Sequence, residues 1–354
     1  MGLGRRDQED RDRGCVQGAR FVSFSVRLRH RDLLQLCGFA PAPCAAHIRA
    51  VAEEMELFDR RLLRARRERA ARGLAGHDFL FREVAERLAD RLLDIRRRFP
   101  LALDLGCRTG FLARALKGHG GVERVIGADP SLAMARRAAA LGPAVVGEAD
   151  MLPFRPGSFD LILSALDLHW VGDLPGALLQ LRHALKPDGL FLGAMFGLGT
   201  LAELRDCLLE AESELHGGAG PRVSPFADLR DAAGLLLRAG FALPVADVET
   251  LTVTYPDALA LMHDLRGMGE ANALSARPRR FAGRALFARA AALYAERHGD
   301  AQGRISARFQ LIFLTGWAPH DSQQKPLRPG SARHRLAGAL GTTERSAGER
   351  ARPK

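Results

Sequence analysis

The 354 residues are 47% hydrophobic and contain no apolar run of about eighteen residues, which suits a globular chain and argues against a spanning helix. The net charge of +11 lies mainly at the ends: residues 1–54 contribute +2, residues 325–354 contribute +6, and the 270 residues between them only +3. A folded nucleic-acid binder concentrates its basic charge on the folded part, so direct nucleic-acid binding is not expected.

Five cysteines (Cys15, Cys37, Cys44, Cys107 and Cys207) form no C-x-x-C pair, so neither a disulfide framework nor a zinc site is expected. That usage suits a reducing cytoplasm. Residues 1–54 show no sustained period. Arg27, Arg29, Arg31 and Asp32 interrupt the one candidate signal core, and Asp7, Glu9, Asp10 and Asp12 do not suit a presequence. We read this stretch as a poorly structured extension, with a functional start at Met55.

Residues 56–73 read as an Arg-rich helix. Residues 79–97 read as an amphipathic one, because Val84, Leu88, Leu92 and Ile95 form one stripe. Strands are expected at 101–105, 123–128, 144–147, 159–164 and 189–195, with helices at 110–118, 131–141 and 174–185. Such alternation argues for a parallel sheet covered on both faces. Lys186-Pro187-Asp188-Gly189 reads as a turn. Thr200 and Glu203 have the spacing of a capping box. A loop at Val223-Ser224-Pro225-Phe226 precedes a helix at 227–239, then strands at 247–254 and 306–317. Between those strands, 257–266 and 283–297 read as helices of an insertion over 255–304. The main domain is expected over 55–324. Residues 325–354, rich in Pro, Gly, Ser and Arg, read as a disordered basic tail.

The first strand ends in Asp104, followed by Gly106 and Gly110 and then a helix. Ligands of open α/β sheets bind at such carboxyl ends, and glycine lets backbone approach them. A dinucleotide fingerprint fails, because Arg108 and Phe111 stand where glycines are required. Asp129 ends the next strand, where a carboxylate can accept ribose hydroxyls. It could instead cap the following helix, a role Ser131 can also fill. Asp150 follows the third strand, placed for an adenine amino group, with Met151 beside it to pack on the base. Three acids at three consecutive strand ends suit a cationic adenosyl ligand without phosphates. Leu166, His169 and Trp170, after the fourth strand, face the transferred group. His169 is the candidate general base and Trp170 a candidate substrate wall, although both residue types also serve simply to pack. His263-Asp264 lacks metal spacing, so no metal site is expected.

DLGCRTG, the acid in GADPS, GEADMLPF, GSFDLILSALDLHWV, LKPDGLF and GAMFG, in this order, resemble the class I S-adenosylmethionine-dependent methyltransferases. FDRRLLRARRERAA, LHWVGDLPGAL, VSPFADL, DLRGMGEANA and GWAPHDSQQKPLRPGSA more narrowly resemble the mitochondrial complex I assembly factors that hydroxylate arginine, and their bacterial relatives. Similarity to the malonyl-carrier-protein O-methyltransferases of biotin synthesis is looser.

The resemblance implies an α/β, Rossmann-like seven-stranded sheet with an antiparallel last strand and a helical insertion between the last two strands. It also implies S-adenosyl-L-methionine as cofactor. Asp104, Gly106 and Gly110 would hold its methionine end, Asp129 the ribose, and Asp150 with Met151 the adenine, beside Leu166. The implied partner is a protein substrate, a complex I subunit, with membrane association only through that partner. Arg108 departs from the family pattern, where glycine is usual, and could crowd the methionine moiety or reach a carboxylate. The residues by themselves favour methyl transfer and the narrower resemblance favours hydroxylation. A carrier-protein methyltransferase, with Arg60, Arg61, Arg64, Arg66 and Arg67 as a basic rim, is the alternative enzyme. A non-catalytic assembly chaperone whose Arg108 blocks the cofactor is the alternative without chemistry.

Overall fold

The computed structural model describes residues 56–324, 331 and 335–343. The extension over 1–54 and most of the expected basic tail lie outside the described residues. Within the tail, one turn of helix forms at Leu336–Ala339, where no order was expected.

Seven strands form one sheet: β1 (Ala102–Leu105), β2 (Val125–Asp129), β3 (Ala144–Val146), β4 (Phe159–Ala165), β5 (Leu185–Phe196), β6 (Ala242–Tyr255) and β7 (Ile305–Trp317). Their order is β3-β2-β1-β4-β5-β7-β6, and β7 runs antiparallel to both of its neighbours. The helices are α1 (Arg60–Ala70), α2 (Phe79–Leu93), α3 (Phe111–Ala115), α4 (Leu132–Ala138), α5 (Leu174–Ala184), α6 (Ala202–His216), α7 (Leu229–Arg238), α8 (Ala258–Met268), α9 (Arg284–His298) and α10 (Leu336–Ala339).

The period of two along the strands divides the core between two faces. Leu161 and Leu163 of β4, and Leu190, Leu192 and Ala194 of β5, join the core with α2, α6, α8 and α9. Ile162 and Phe191 point the other way, into the core with α5 and α7. Burial on both faces explains why the central strands read as continuous apolar runs. The inserted helices α8 and α9 lie between β6 and β7, and α9 runs along α6, tied by Arg297–Glu210 and Arg289–Glu214 pairs.

Three local expectations change. The turn at 186–189 lies inside the span of β5: Phe159 pairs with Leu185 but Leu161 with Leu190, so these residues bulge from the ladder. Asp188 there adopts a left-handed φ of 59°. The capping box does not form. Leu201 is the N-cap of α6 without a side-chain bond, the Thr200 hydroxyl donates to the Gln310 carbonyl of β7, and Glu203 pairs with Arg308. Helix α2 stops at Leu93, so Ile95 reaches the core from a loop.

Candidate active site

β1, β2 and β4 run parallel, and the chain leaves β1 towards opposite neighbours on its two sides. The crevice at such a switch point, at the carboxyl ends, is where ligands of open α/β sheets bind. Asp104, Asp129 and Asp167 converge there and are 1%, 0% and 5% exposed, so their charges must be met from within the protein.

The glycine turn has a packing reason first. Gly106 (φ 73°) and Gly110 (φ 86°) both need the left-handed region. A Cβ on Gly106 would collide with Asp167, and one on Gly110 would meet Leu141 at 2.7 Å. Asp129 accepts the backbone N–H groups of Arg108 (3.0 Å) and Ser131 (2.8 Å), while Ser131 caps α4 by accepting from Met134. Ser131 therefore fills the capping role and leaves Asp129 to the turn.

Helix α1 starts at Asp59, whose side chain accepts from Leu62 N–H. It lies across this crevice and is fastened to the segment after α8: Asp59 N–H donates to the Ala273 carbonyl and Arg277 pairs with Asp59. Arg67 of α1, 1% exposed, pairs with Asp167 and stands 3.8 Å from Asp129. Burial pulls the Arg67 pKa down, but the carboxylates of Asp167, Asp129 and Glu270 outweigh it and hold it above its ordinary value.

Sequence reasoning missed Glu270. It follows Gly269, which takes a left-handed φ of 83° at the C-cap of α8. The Glu270 N–H reaches back to the Leu265 carbonyl, a helix-terminating geometry that swings its side chain inward. Glu270 Oε2 accepts from Trp170 Nε1 at 2.7 Å and meets His169 Nε2 at 3.1 Å, and Oε1 accepts from Arg108 Nη2 at 2.5 Å. The only sequence signal for it was its place in DLRGMGEANA. Asp167 was equally hidden, inside ALDLHW.

Burial pushes the Glu270 pKa up, yet Arg108 and His169 pull it down to about 2. Burial lowers the His169 pKa against the opposing pull of Glu270. Burial, followed by the charges of Asp129 and Asp167, drives Asp104 up to about 8, and neither of its oxygens has a hydrogen-bond partner. Four acids, Asp104, Asp129, Asp167 and Glu270, thus share the crevice with two arginines, Arg67 and Arg108.

The remaining expected residues fall as follows. Leu166 is buried at a φ of 55°, and its carbonyl accepts from Arg108 at 2.9 Å. Asp150 accepts from Asp173 N–H (3.2 Å) and lies 3.6 Å from Arg60, on the wall of a cavity of about 40 Å³ shared with Arg67, Asp167 and Trp170. Met151 is 73% exposed and is not brought to that cavity. Of the expected basic rim, Arg60 and Arg64 pair with Glu148, Arg66 donates to the Ala271 and Asn272 carbonyls, Arg67 is buried, and Arg61 is exposed. Arg108 does reach a carboxylate, but it is that of Glu270. Among the described residues no cluster of His, Cys, Asp and Glu could hold a metal ion.

The residues suit S-adenosylmethionine, whose ammonium, sulfonium and carboxylate sum to one positive charge. Asp104 offers a buried carboxyl with both oxygens unmet, and the acids of the crevice outnumber its arginines, which suits a cationic ligand. Room is the constraint. The 40 Å³ cavity is far below the roughly 300 Å³ of a small-molecule site, with α1 and Arg67 lining it.

The strand order with its reversed β7, and the acids at successive strand ends, define a class I S-adenosylmethionine-dependent methyltransferase fold. The methyltransferase domain family matches residues 103–193. The mitochondrial arginine-hydroxylase NDUFAF5 of Danio rerio is 43% identical over 283 residues, covering 78% of this chain and 88% of that protein. The Homo sapiens protein of the same name is 42% identical over 282 residues, covering 78% and 81%. The malonyl-[acyl-carrier protein] O-methyltransferase of Xylella fastidiosa (strain M23) is 35% identical over 270 residues, covering 74% and 89%. The chain belongs to the family of the arginine-hydroxylase NDUFAF5, enzymes of the S-adenosylmethionine-dependent methyltransferase superfamily.

Proposed function

We propose that this enzyme binds S-adenosylmethionine at the carboxyl ends of β1 and β2 and modifies an arginine side chain of a protein, a complex I subunit; hydroxylation there would draw its oxygen from dioxygen and two electrons from an external reductant, because the cofactor itself supplies only a methyl group. The observation that carries this reading is the buried anionic centre. Asp104, Asp129, Asp167 and Glu270 outnumber Arg67 and Arg108, so the site suits cationic ligands rather than a free carboxylate. A malonyl group would bring a second carboxylate towards Glu270, and like charges in a dry site repel. Of the arginines expected to greet an acidic carrier protein, Arg66 and Arg67 are turned inward and Arg60 and Arg64 pair with Glu148.

In this reading Asp104 takes the cofactor's ammonium, Asp129 its ribose and Asp150 its adenine. Gly106 and Gly110 shape the turn beneath it, and Leu166 closes one wall. Met151 has no part unless the loop after β3 turns inward. When bound, the cofactor supplies a sulfonium-activated methyl group. His169 and Trp170 orient Glu270, and neutral His169 can accept a proton at Nδ1, which lacks a hydrogen-bond partner. Helix α1, lying over the crevice, excludes water.

Calorimetry with S-adenosylmethionine tests the cofactor assignment. The Asp129→Ala variant should bind at least about tenfold more weakly, a loss of about 1.4 kcal/mol. Unchanged affinity sinks the ribose assignment, and no binding by the parent at millimolar ligand sinks the cofactor assignment. Mass spectrometry of complex I subunits from a deletion strain reads the chemistry. Loss of one oxygen from an arginine supports hydroxylation, and loss of one methylene mass shows methylation instead.

A further inference from the structure

Arg108 is an odd structural residue. Its side chain is 1% exposed and its backbone sits at a φ of 48°, a strained position for any residue other than glycine. Its guanidinium stacks over the Phe81 ring, 4.1 Å from the centroid. Nη2 donates to Glu270 Oε1 at 2.5 Å and to the Leu166 carbonyl at 2.9 Å. Nε and Nη1, equally buried, find no hydrogen-bond partner. A pair chosen for stability would meet all of these donors, because buried ion pairs repay their desolvation only when fully bonded.

The recess is better made than its occupant. It offers a carboxylate, a backbone carbonyl and an aromatic face, the three groups that recognise a guanidinium. Trp170 Nε1 (2.7 Å) and His169 Nε2 (3.1 Å) fix the far oxygen of that carboxylate, so its position does not depend on Arg108. The recess also lies at the end of β4, beside the buried aspartates, where a group to be modified has to sit.

We propose that Glu270, the Leu166 carbonyl and Phe81 form the binding site for the guanidinium of the substrate's arginine, and that Arg108 fills it in the free enzyme. This rests on the proposed function for the identity of the ligand. It explains how a carboxylate can be kept buried and ionised between turnovers: one guanidinium replaces another, and the charge of the recess never changes. The exchange lowers the apparent affinity by the fraction of molecules in which Arg108 has left.

The test is calorimetry on the full chain with N-acetyl-arginine methylamide, with the neutral citrulline analogue as control. Arg108→Gly removes the occupant and the backbone strain together, and should bind the arginine probe at least tenfold more tightly than the parent. Arg108→Gly/Glu270→Gln removes both charges and should lose that binding while its circular dichroism stays that of the parent. The citrulline analogue should bind neither protein. If the glycine variant does not fold, Arg108→Ala carries the same expectations. The inference is overturned if the single variant binds no more tightly than the parent, if the double variant binds as well as the single, or if citrulline competes equally. S-adenosylmethionine binding, measured on the same samples, keeps the two readings apart. Cofactor binding without an arginine response removes this site alone, and an arginine response without cofactor binding removes the cofactor assignment alone.

Discussion

Asp104 and Glu270 show how burial and neighbours set opposite titrations in one crevice. Asp104 is raised from 3.8 to about 8 by burial and by Asp129 and Asp167. The folded protein therefore holds a proton that the unfolded chain has released, and stability falls as pH climbs from about 4 to about 8. Thermal melts across that window should show the decline in the parent and a flatter profile in Asp104→Asn. Cofactor binding adds a second readout. A bound ammonium should draw the proton off Asp104, so calorimetry at pH near 7 in buffers of different ionisation enthalpy should report proton release in the parent and none in the variant. Glu270 runs the other way. Its pKa is lowered to about 2, so its contribution is complete above the ordinary 4.5 and is lost as pH falls from there towards 2.

Helix α1 is the element whose role is set by where it packs. By sequence it is an arginine-rich surface helix, and most of its arginines do reach the surface. Arg67 instead lies between Asp129 and Asp167. Removing it leaves two buried carboxylates without a cation, so Arg67→Ala should lower stability by about 3–5 kcal/mol, read from denaturant unfolding. Strand β5 supports the other side of the site. A Cβ on Gly193 would stand 3.1 Å from Leu168 Cδ1 and 2.8 Å from Phe191 Cζ. Gly193→Ala should therefore cost about 1–3 kcal/mol. It should also disturb His169 and Trp170, which follow Leu168, and the change in tryptophan fluorescence would show it.

The molecule as a whole is a sheet buried on both faces, with two inserted helices whose trailing segment carries Glu270 back to the carboxyl ends. We propose that residues 55–324 form the folding unit. A chain trimmed to that span should keep the parent's melting temperature to within a few degrees and bind S-adenosylmethionine equally. A large drop would show that the flanking segments contribute to the fold.

The sheet was legible because its cause is local. Apolar runs between turn residues placed β1, β2, β4 and β5 to within a few residues, and the glycine turn with Asp104 and Asp129 marked the carboxyl ends. Thr200 and Glu203 misled because their partners, Gln310 and Arg308, are a hundred residues away on β7, and a cap competes poorly with a ladder already in place. The sequence by itself determined the fold class and the crevice, since period, turn chemistry and strand ends are properties of short segments. Only the tertiary structure decided that Arg67 closes the crevice and that Glu270 and Arg108 meet within it. Those contacts join residues far apart in the chain, and their strength comes from a burial that exists only once the sheet, α1 and the insertion have packed together.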